Sequence, residues 1–247
     1  MTDNYDKIRA KGLDYLKSVY GEESVENAIE NTSRFQVEVP GWQLWAGFGG
    51  GGRFEGASSG GFARNTKEIA EDVGLIHKLT KSTPSVGQHI LWFLTKDGKT
   101  GDRDTAKKVS AELKENGLAM GSISPTFFLA GSEDGSLSSQ NPATRKRYIE
   151  QILFGAEIAA EMGNGVITLW FPDGTNYPGQ RELKEKITLI KEGLETFWER
   201  VSEKHKKGLE RVLVEYKVFE PGTYSTTVPD WGTSRELART MGDKGGV

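Results

Sequence analysis

Residues 211–217 read RVLVEYK, a short apolar and β-branched run that ends in an acid and a lysine. This run is preceded by the basic segment KHKKG at 204–208, and the pattern predicts a buried strand entered from a loop. Because side chains alternate between the two faces of a strand, Glu215 and Lys217 share one face with Leu213. Burying both charges is costly unless they pair with each other, a metal or a ligand. The stretch therefore predicts either a structural Glu–Lys pair or part of a functional site.

Strands and helices alternate along the rest of the chain. Capping signals mark three helix starts, at Asn65 with Glu68, at Asn141-Pro142, and at Thr233 with Glu236. Residues 1–34 form an N-terminal helical segment, and residues 35–247 form the main domain. The predicted strands are 35–39, 85–91, 118–123, 165–170 and 211–217, and the predicted main-domain helices are 65–80, 102–116, 142–162, 180–205 and 233–241.

This alternation predicts an α/β fold with about five parallel βα units. The pattern leaves two architectures open. An open doubly wound sheet fits a chain that stops where a sixth strand would begin. A (β/α)₈ barrel takes about 250 residues, and with units this long it would need well over roughly 300.

The composition is that of an ordinary soluble globular protein, with 247 residues, 36% hydrophobic, 27% charged and a net charge of −3. The absence of cysteine excludes disulfide scaffolds and thiolate sites, and it fits a cytoplasmic location. We see no signal peptide or membrane-spanning run, so we expect no membrane partner. The balanced charge gives no support for nucleic-acid binding.

A glycine-rich run at 47–52 formally matches the dinucleotide fingerprint G-x-G-x-x-G. In a dinucleotide fold the third glycine opens a helix, but here the next helix start is Asn65. Nucleotide binding is therefore disfavoured. A loop whose backbone approaches a ligand, with Trp42 and Phe54 as apolar sides, is favoured.

Aromatic and polar residues gather at the C-terminal ends of the predicted strands, where parallel α/β folds bind their ligands. Rings with a few polar groups favour a sugar, because C–H faces stack on rings while hydroxyls need directed hydrogen bonds. Singly, each residue has an ordinary structural explanation, and His89 is more often a satisfied core histidine than a catalytic one. The residues that share this placement are Trp42, Phe54, His89, Trp92, Phe127, Phe128, Trp170, Phe171, Asp173, Glu215 and Lys217.

Five segments have a distinctive sequence: QHILW at 88–92, GSLSSQNPATR at 135–145, TLWFPDGTNYPGQ at 168–180, VEYKVFEP at 214–221 and YSTTVPDWGT at 224–233. Together they resemble the L-rhamnose isomerase family, in the xylose-isomerase-like group of barrels. The similarity covers most of the chain from about residue 35 onward. It favours a (β/α)₈ TIM-barrel type, incomplete here, with the N-terminal part of the family represented.

The resemblance implies a homo-oligomer, usually a tetramer, that interconverts an aldose and a ketose by a 1,2 hydrogen shift. It implies divalent cations, manganese first and cobalt or magnesium as alternatives, which polarise O1 and O2 as Lewis acids. By the same resemblance Glu215 is a metal ligand, Lys217 lies near the substrate oxygen at C1, and His89 takes part in opening the sugar ring. Trp42, Phe54 and Trp170 match the hydrophobic substrate-binding residues, and Asp173 joins them as a further substrate-binding candidate.

The chain departs from the family pattern at several positions. Tyr216 replaces a histidine, Leu91 and Phe93 replace a proline and an aspartate, and a histidine is missing near Ser139. The aspartate and histidine ligands that the family carries beyond the fifth strand are absent from these 247 residues. With Glu215 alone, two divalent ions cannot be held. The alternatives are an isomerase represented by its N-terminal part, a metal-free sugar-binding protein, and a self-associating half-barrel.

Overall fold

The computed structural model of the chain describes residues 2–45, 63–175, 179–219 and 225–247. The chain divides into two compact units, Met1–Val37 and Glu38–Val247. None of the described helices has both the length and the apolar character that crossing a bilayer requires.

The first unit is a pair of helices, α1 (Thr2–Tyr20) and α2 (Glu22–Ser33). They meet at Gly21, whose φ of 84° lies in the left-handed region that glycine adopts without a steric penalty. The Lys17 ammonium donates hydrogen bonds of 2.9 Å to Glu22 and to Glu26, so the turn is also held by charge. Gly21 therefore separates the two helices.

The described part of the second unit contains eight strands. Six of them, β1, β2, β3, β4, β6 and β8, form one sheet in that order, and every neighbouring pair is parallel. The other two pair antiparallel in a small separate sheet. The strands are β1 (Val39–Pro40), β2 (Ser85–His89), β3 (Ala119–Ser124), β4 (Val166–Trp170), β5 (Gly174–Thr175), β6 (Arg211–Glu215), β7 (Ser225–Thr226) and β8 (Gly245–Gly246).

The strand order decides between the two architectures that the sequence left open. In a doubly wound sheet the order reverses at a switch point, whereas barrel strands follow one another around the sheet. Here the order is sequential from the first strand to the sixth, as in a barrel. The short β8, which pairs Gly245 with Val212 of β6, is the sixth parallel strand at the position where the alternation predicts it.

Helices connect the parallel strands and cover one face of the sheet. Ile167, Leu169, Val212 and Val214 are fully buried in the core that this face shares with the helices. Their neighbours along the same strands, Val166, Thr168 and Trp170, are half-buried and face the other side. The helices are α3 (Thr66–Thr80), α4 (Ile90–Phe93), α5 (Arg103–Glu115), α6 (Pro142–Glu161), α7 (Leu183–Arg200), α8 (Glu203–Gly208) and α9 (Trp231–Ala238), with 3-10 turns at Gly41–Leu44 and Arg239–Lys244.

Capping explains which predicted helix boundaries are right. Asn65 accepts a 2.9 Å bond from the Glu68 amide and starts α3 as predicted. Asp230, not Thr233, caps α9, because its carboxylate accepts from the Thr233 amide at 2.9 Å. The predicted helix 180–205 is two helices, since Ser202 starts α8 by accepting from the His205 amide.

Three predicted strands are shorter than expected, and one of them, predicted for 211–217, ends at Glu215. Of the predicted strand 35–39, only Val39 lies in the sheet. Val39 and Pro40 form β1 at the edge of the sheet, where the missing N–H of proline is tolerated. The strand predicted for 85–91 ends at His89, where the chain turns into α4. Apolar composition alone does not separate a strand end from the first turn of a helix.

The carboxylate of Glu38 joins β2, β3 and the turn that precedes β4. It accepts hydrogen bonds from Ser85 Oγ at 2.7 Å, from the Ser122 amide at 3.0 Å and from Asn164 Nδ2 at 3.4 Å. A Cβ at Gly121 would overlap this carboxylate. The bonds lie where the pairing of β2 with β3 shifts by one residue, so Glu38 satisfies an amide at a bulge.

Candidate functional site

The C-terminal ends of the parallel strands bring the sequence-predicted residues to one edge of the sheet. His89 is the last residue of β2, Trp170 the last of β4 and Glu215 the last of β6. Trp42 lies in the 3-10 turn that follows β1, and Lys217 lies two residues beyond β6. Because the strands are parallel and adjacent, these ends meet at the edge where barrels bind their ligands.

Five rings at this edge contact one another in series. His89 packs edge-on against Trp42, Trp92 and Phe128, with ring centroids 4.8, 5.0 and 5.5 Å apart. Phe128 also contacts Trp92 at 5.6 Å and Trp170 at 5.8 Å. We call Trp42, His89, Trp92, Phe128 and Trp170 the aromatic wall. It runs without a break from the end of β1 to the end of β4.

Lys217 extends the aromatic wall with a positive charge. Its Nζ lies 5.4 Å from the centroid of the Trp170 ring, a cation–π distance. The Lys217 backbone is held by its amide, which donates to the Val228 carbonyl at 3.1 Å, and by its carbonyl, which accepts from Thr226 Oγ1. The chain therefore places the ammonium beside the ring although β6 ends two residues earlier.

Glu215 lies beside Trp170 across the sheet. The two residues are register partners in the parallel pairing of β6 with β4, so their side chains leave the sheet on the same face. Glu215 is exposed, in contrast to the buried Val212 and Val214 of the same strand. The alternation predicted for this strand is confirmed up to Glu215, and the carboxylate stands on the side of the sheet that carries Trp170.

His89 is the most buried polar member of the aromatic wall, with 6% of its surface exposed. Burial lowers its pKa from 6.5 to about 3, so the ring is neutral at pH 7. Its Nδ1 lies 3.1 Å from Thr126 Oγ1. A neutral imidazole donates from one nitrogen and accepts at the other, so this contact bears on what the ring offers a ligand.

Asp173 lies in a different environment from the other candidates. It is fully buried, and its Oδ2 accepts from the Ser136 amide at 2.8 Å, the Ser138 amide at 3.2 Å and Ser138 Oγ at 2.7 Å. Its carbonyl accepts from the Thr227 amide at 2.7 Å. These bonds tie two loops to the end of β4. Substrate contact by Asp173 stays a prediction, and the described contacts give it a loop-holding role.

Two predicted features fall on parts of the chain that the structure does not describe. Phe54 and the glycine-rich run at 47–52 lie outside the described residues. The roles predicted for them stay predictions.

The sequence flagged Trp92 and Phe128 only as residues near strand ends, and their place in the aromatic wall depends on the tertiary fold. Nothing in the sequence marked Thr126 as a site residue, since a threonine in the run PTFF at 125–128 looks like any other polar loop residue. Glu38 alternates with apolar neighbours as a surface strand residue does, and nothing local marks it as a half-buried residue that binds several distant segments.

The described residues provide one candidate ligand for a divalent metal at this edge of the sheet. Glu215 is the donor type that manganese or magnesium prefers, and it stands at the expected edge. No three histidine, aspartate or glutamate side chains converge as a metal site anywhere in the described ranges. One carboxylate does not make a divalent-cation site, so metal use would depend on ligands that the described part of this chain does not provide.

Comparison with solved structures identifies a protein with a similar fold. The chain superposes on a crystal structure of D-psicose 3-epimerase with a TM-score of 0.51, covering 74% of this chain and 57% of that one. The fold is therefore of the barrel type. At 12% sequence identity this likeness concerns the fold alone. The barrel type predicted from the resemblance is confirmed, and the six sequential parallel strands represent part of it.

Curated sequences add a likeness to sugar isomerases. The chain is 31% identical, over 249 aligned positions, to a probable sugar isomerase of Rhizobium meliloti (97% of this chain, 51% of the relative). It is 29% identical, over 224 positions, to a probable sugar isomerase of Mesorhizobium japonicum (85% and 46%). The chain spans about half the length of these relatives. No family model matches it.

Proposed function

We propose that this chain forms part of an aldose–ketose isomerase of the L-rhamnose type, in which it supplies the sugar-facing edge of the barrel. The proposal is supported by the two relatives named probable sugar isomerases and by the barrel fold. It is supported further by the resemblance of five sequence segments to L-rhamnose isomerases. The small-molecule partner is then a sugar, bound at the C-terminal ends of the strands.

One observation carries the proposal: Lys217 Nζ lies 5.4 Å from the Trp170 ring at the end of the aromatic wall. Flat rings suit the C–H faces of a sugar, and an ammonium beside them suits a sugar oxygen. During an aldose–ketose shift, an oxygen on C1 or C2 becomes more negative. A fixed cation at that oxygen stabilises the transition state more than the ground state.

The proposal includes a divalent cation, with manganese preferred over cobalt or magnesium. Glu215 would be one ligand, because its carboxylate stands on the same face as Trp170. The remaining ligands would come from outside the described residues. Self-association, as a tetramer, and a cytoplasmic location also belong to the proposal. Sedimentation tests the first directly, since a monomer at micromolar concentration would contradict it.

A second candidate is a sugar-binding protein that does not turn its ligand over. It is favoured by one observation: the described residues form the aromatic wall, whereas no three of their histidine, aspartate or glutamate side chains converge as a metal site. Stacking of a sugar on aromatic rings does not require a metal ion. The two candidates therefore make the same prediction for binding and opposite predictions for product formation.

The test measures L-rhamnose binding by tryptophan fluorescence and then formation of the ketose with and without Mn²⁺. We expect saturable binding that Trp170→Ala abolishes. Trp198→Ala is the matched control, because Trp198 lies in α7, outside the site. Metal-dependent ketose formation supports the isomerase. Binding that survives a chelator without product supports the second candidate, and failure to bind any sugar contradicts both.

A further inference from the structure

We infer that Thr126 is a positioning residue that holds His89 in the tautomer with its proton on Nε2, so that His89 offers a sugar a hydrogen-bond donor. This inference rests on the proposed function in taking the ligand to be a sugar. The tautomer itself follows from the hydrogen bonds around Thr126.

Thr126 bridges two segments beneath the aromatic wall. It is fully buried, and its Oγ1 lies 3.1 Å from the Leu91 amide nitrogen and 3.1 Å from His89 Nδ1. Leu91 lies in the first turn of α4, directly after the strand that ends in His89. One hydroxyl therefore contacts both the ring and the turn that follows it.

Counting protons and lone pairs at Thr126 Oγ1 assigns the tautomer. A threonine hydroxyl has one proton to donate and two lone pairs to accept with. The Leu91 N–H can only donate, so it occupies one lone pair. Within the described ranges, the acceptor left for the hydroxyl proton is His89 Nδ1. Thr126 O–H therefore donates to Nδ1, and the ring proton of His89 is on Nε2.

The opposite tautomer would leave a proton without a partner. If Nδ1 carried the hydrogen, it would donate to Thr126 Oγ1, and both lone pairs of the hydroxyl would be occupied. The hydroxyl proton would then point into a fully buried environment with no acceptor among the described residues. Leaving a buried donor unsatisfied costs more than the bond itself contributes.

The aromatic wall fixes the orientation of the imidazole as well as its burial. Trp42, Trp92 and Phe128 meet the His89 ring at interplanar angles of 81°, 65° and 61°. These edge-on contacts on several sides restrict rotation of the ring, so Nδ1 remains at Thr126. Nε2 is the nitrogen that remains for a ligand. It offers an N–H, which can bond to a sugar oxygen but cannot accept a proton from one.

The direct test is ¹⁵N NMR of the intact 247-residue chain with labelled histidine, at pH 7. The chain has three histidines, so the signals of His89 are identified by their loss in His89→Asn. We expect a protonated Nε2 and an unprotonated Nδ1. A protonated Nδ1, or a charged ring, would overturn the inference. This measurement uses the unsubstituted protein, so it does not depend on the stability of any variant.

Variants of Thr126 separate positioning from simple structural support. Thr126→Ser keeps the hydroxyl and should keep the Nε2–H tautomer. Thr126→Val keeps the shape, removes the hydroxyl, and should give a mixture of tautomers. For isomerisation we expect Thr126→Val to lower kcat about tenfold, the effect of one hydrogen bond, with most of it restored in Thr126→Ser. An unchanged tautomer in folded Thr126→Val would count against the role of Thr126.

The NMR result and the proposed function fail independently. The tautomer is read without any substrate, so a protein with the Nε2–H form and no isomerase activity contradicts only the function. An active isomerase with the Nδ1–H form contradicts only the inference.

Discussion

The Lys217 ammonium lies 5.4 Å from the centroid of the Trp170 ring, which joins the segment after β6 to the end of β4. Trp170 is also the register partner of Glu215, so one tryptophan lies beside both charged candidates. The Trp170 Nε1 is buried and has no acceptor among the described residues. Lys217 therefore interacts with the ring of Trp170 rather than with its N–H.

Lys217→Met should lower the turnover number about a hundredfold with little change in sugar affinity. The substitution keeps the length of the side chain and removes the charge, which matters most where negative charge develops. The measurement is kcat and KM for the aldose. Lys206→Met is the matched control, because Lys206 makes an equivalent cation–π contact with Trp198 at 5.2 Å in the helical layer. Equal losses in the two variants would argue against a site role for Lys217.

Glu215→Gln should weaken Mn²⁺ binding and activity in parallel, because an amide is a poorer ligand than a carboxylate for a hard cation. Mn²⁺ binding is measured by calorimetry, separately from turnover. Glu210→Gln, an exposed change just before the other end of β6, should leave both unchanged. If Glu215→Gln lost activity but bound manganese normally, Glu215 would not be a ligand.

Asp173→Asn should reduce the free energy of unfolding by about 2 kcal/mol, because a charged acceptor of three hydrogen bonds is replaced. Urea unfolding measures the change. Asp134→Asn, an exposed change in the same loop region, is the control. A stable Asp173→Asn variant that had lost sugar binding would instead support the predicted substrate contact.

Glu38→Gln should lower the free energy of unfolding by about 1–3 kcal/mol. The donors Ser85, Ser122 and Asn164 use both carboxylate oxygens of Glu38, and a glutamine amide has only one oxygen that accepts. Hydrogen exchange at the Ser122 amide should accelerate in this variant, because that amide lies at the bulge. The exposed Glu236→Gln is the control. Unchanged exchange at Ser122 would show that the bulge does not need the carboxylate.

Stability should fall as the pH drops below about 6.5, because of His89. Its pKa is about 3 in the folded protein and near 6.5 in the unfolded chain. Between these two pH values the unfolded chain binds a proton at His89 and the folded protein does not. The stabilisation from the neutral His89 is fully present above pH 6.5 and is lost as the pH falls toward 3. Between pH 6 and 4 the free energy of unfolding should fall by about 1.4 kcal/mol per pH unit. In urea unfolding, His89→Gln should lack this slope.

The alternation of strands and helices was predictable because it depends on local patterns. Asn65 and Asn141 mark their helix starts through side chains that bond within the same turn. The boundary at Ser202 and the cap at Asp230 were missed, because several nearby residues could have served and only packing selects among them. Glu38 was missed for a different reason: its partners lie 47, 84 and 126 residues away.

The sequence by itself determined the order of parallel βα units, the alternation that separates Val214 from Glu215, and the list of residues at the strand ends. These follow from periodicity, which is a property of neighbouring residues. The tertiary structure decided which of them meet. Sequential winding excluded the doubly wound sheet, and the bulge between β2 and β3 put His89 beside Ser124 rather than beside the core residue Ile123. Register and winding arise from hydrogen bonds between distant segments, and a one-residue shift there changes the face on which a side chain lies.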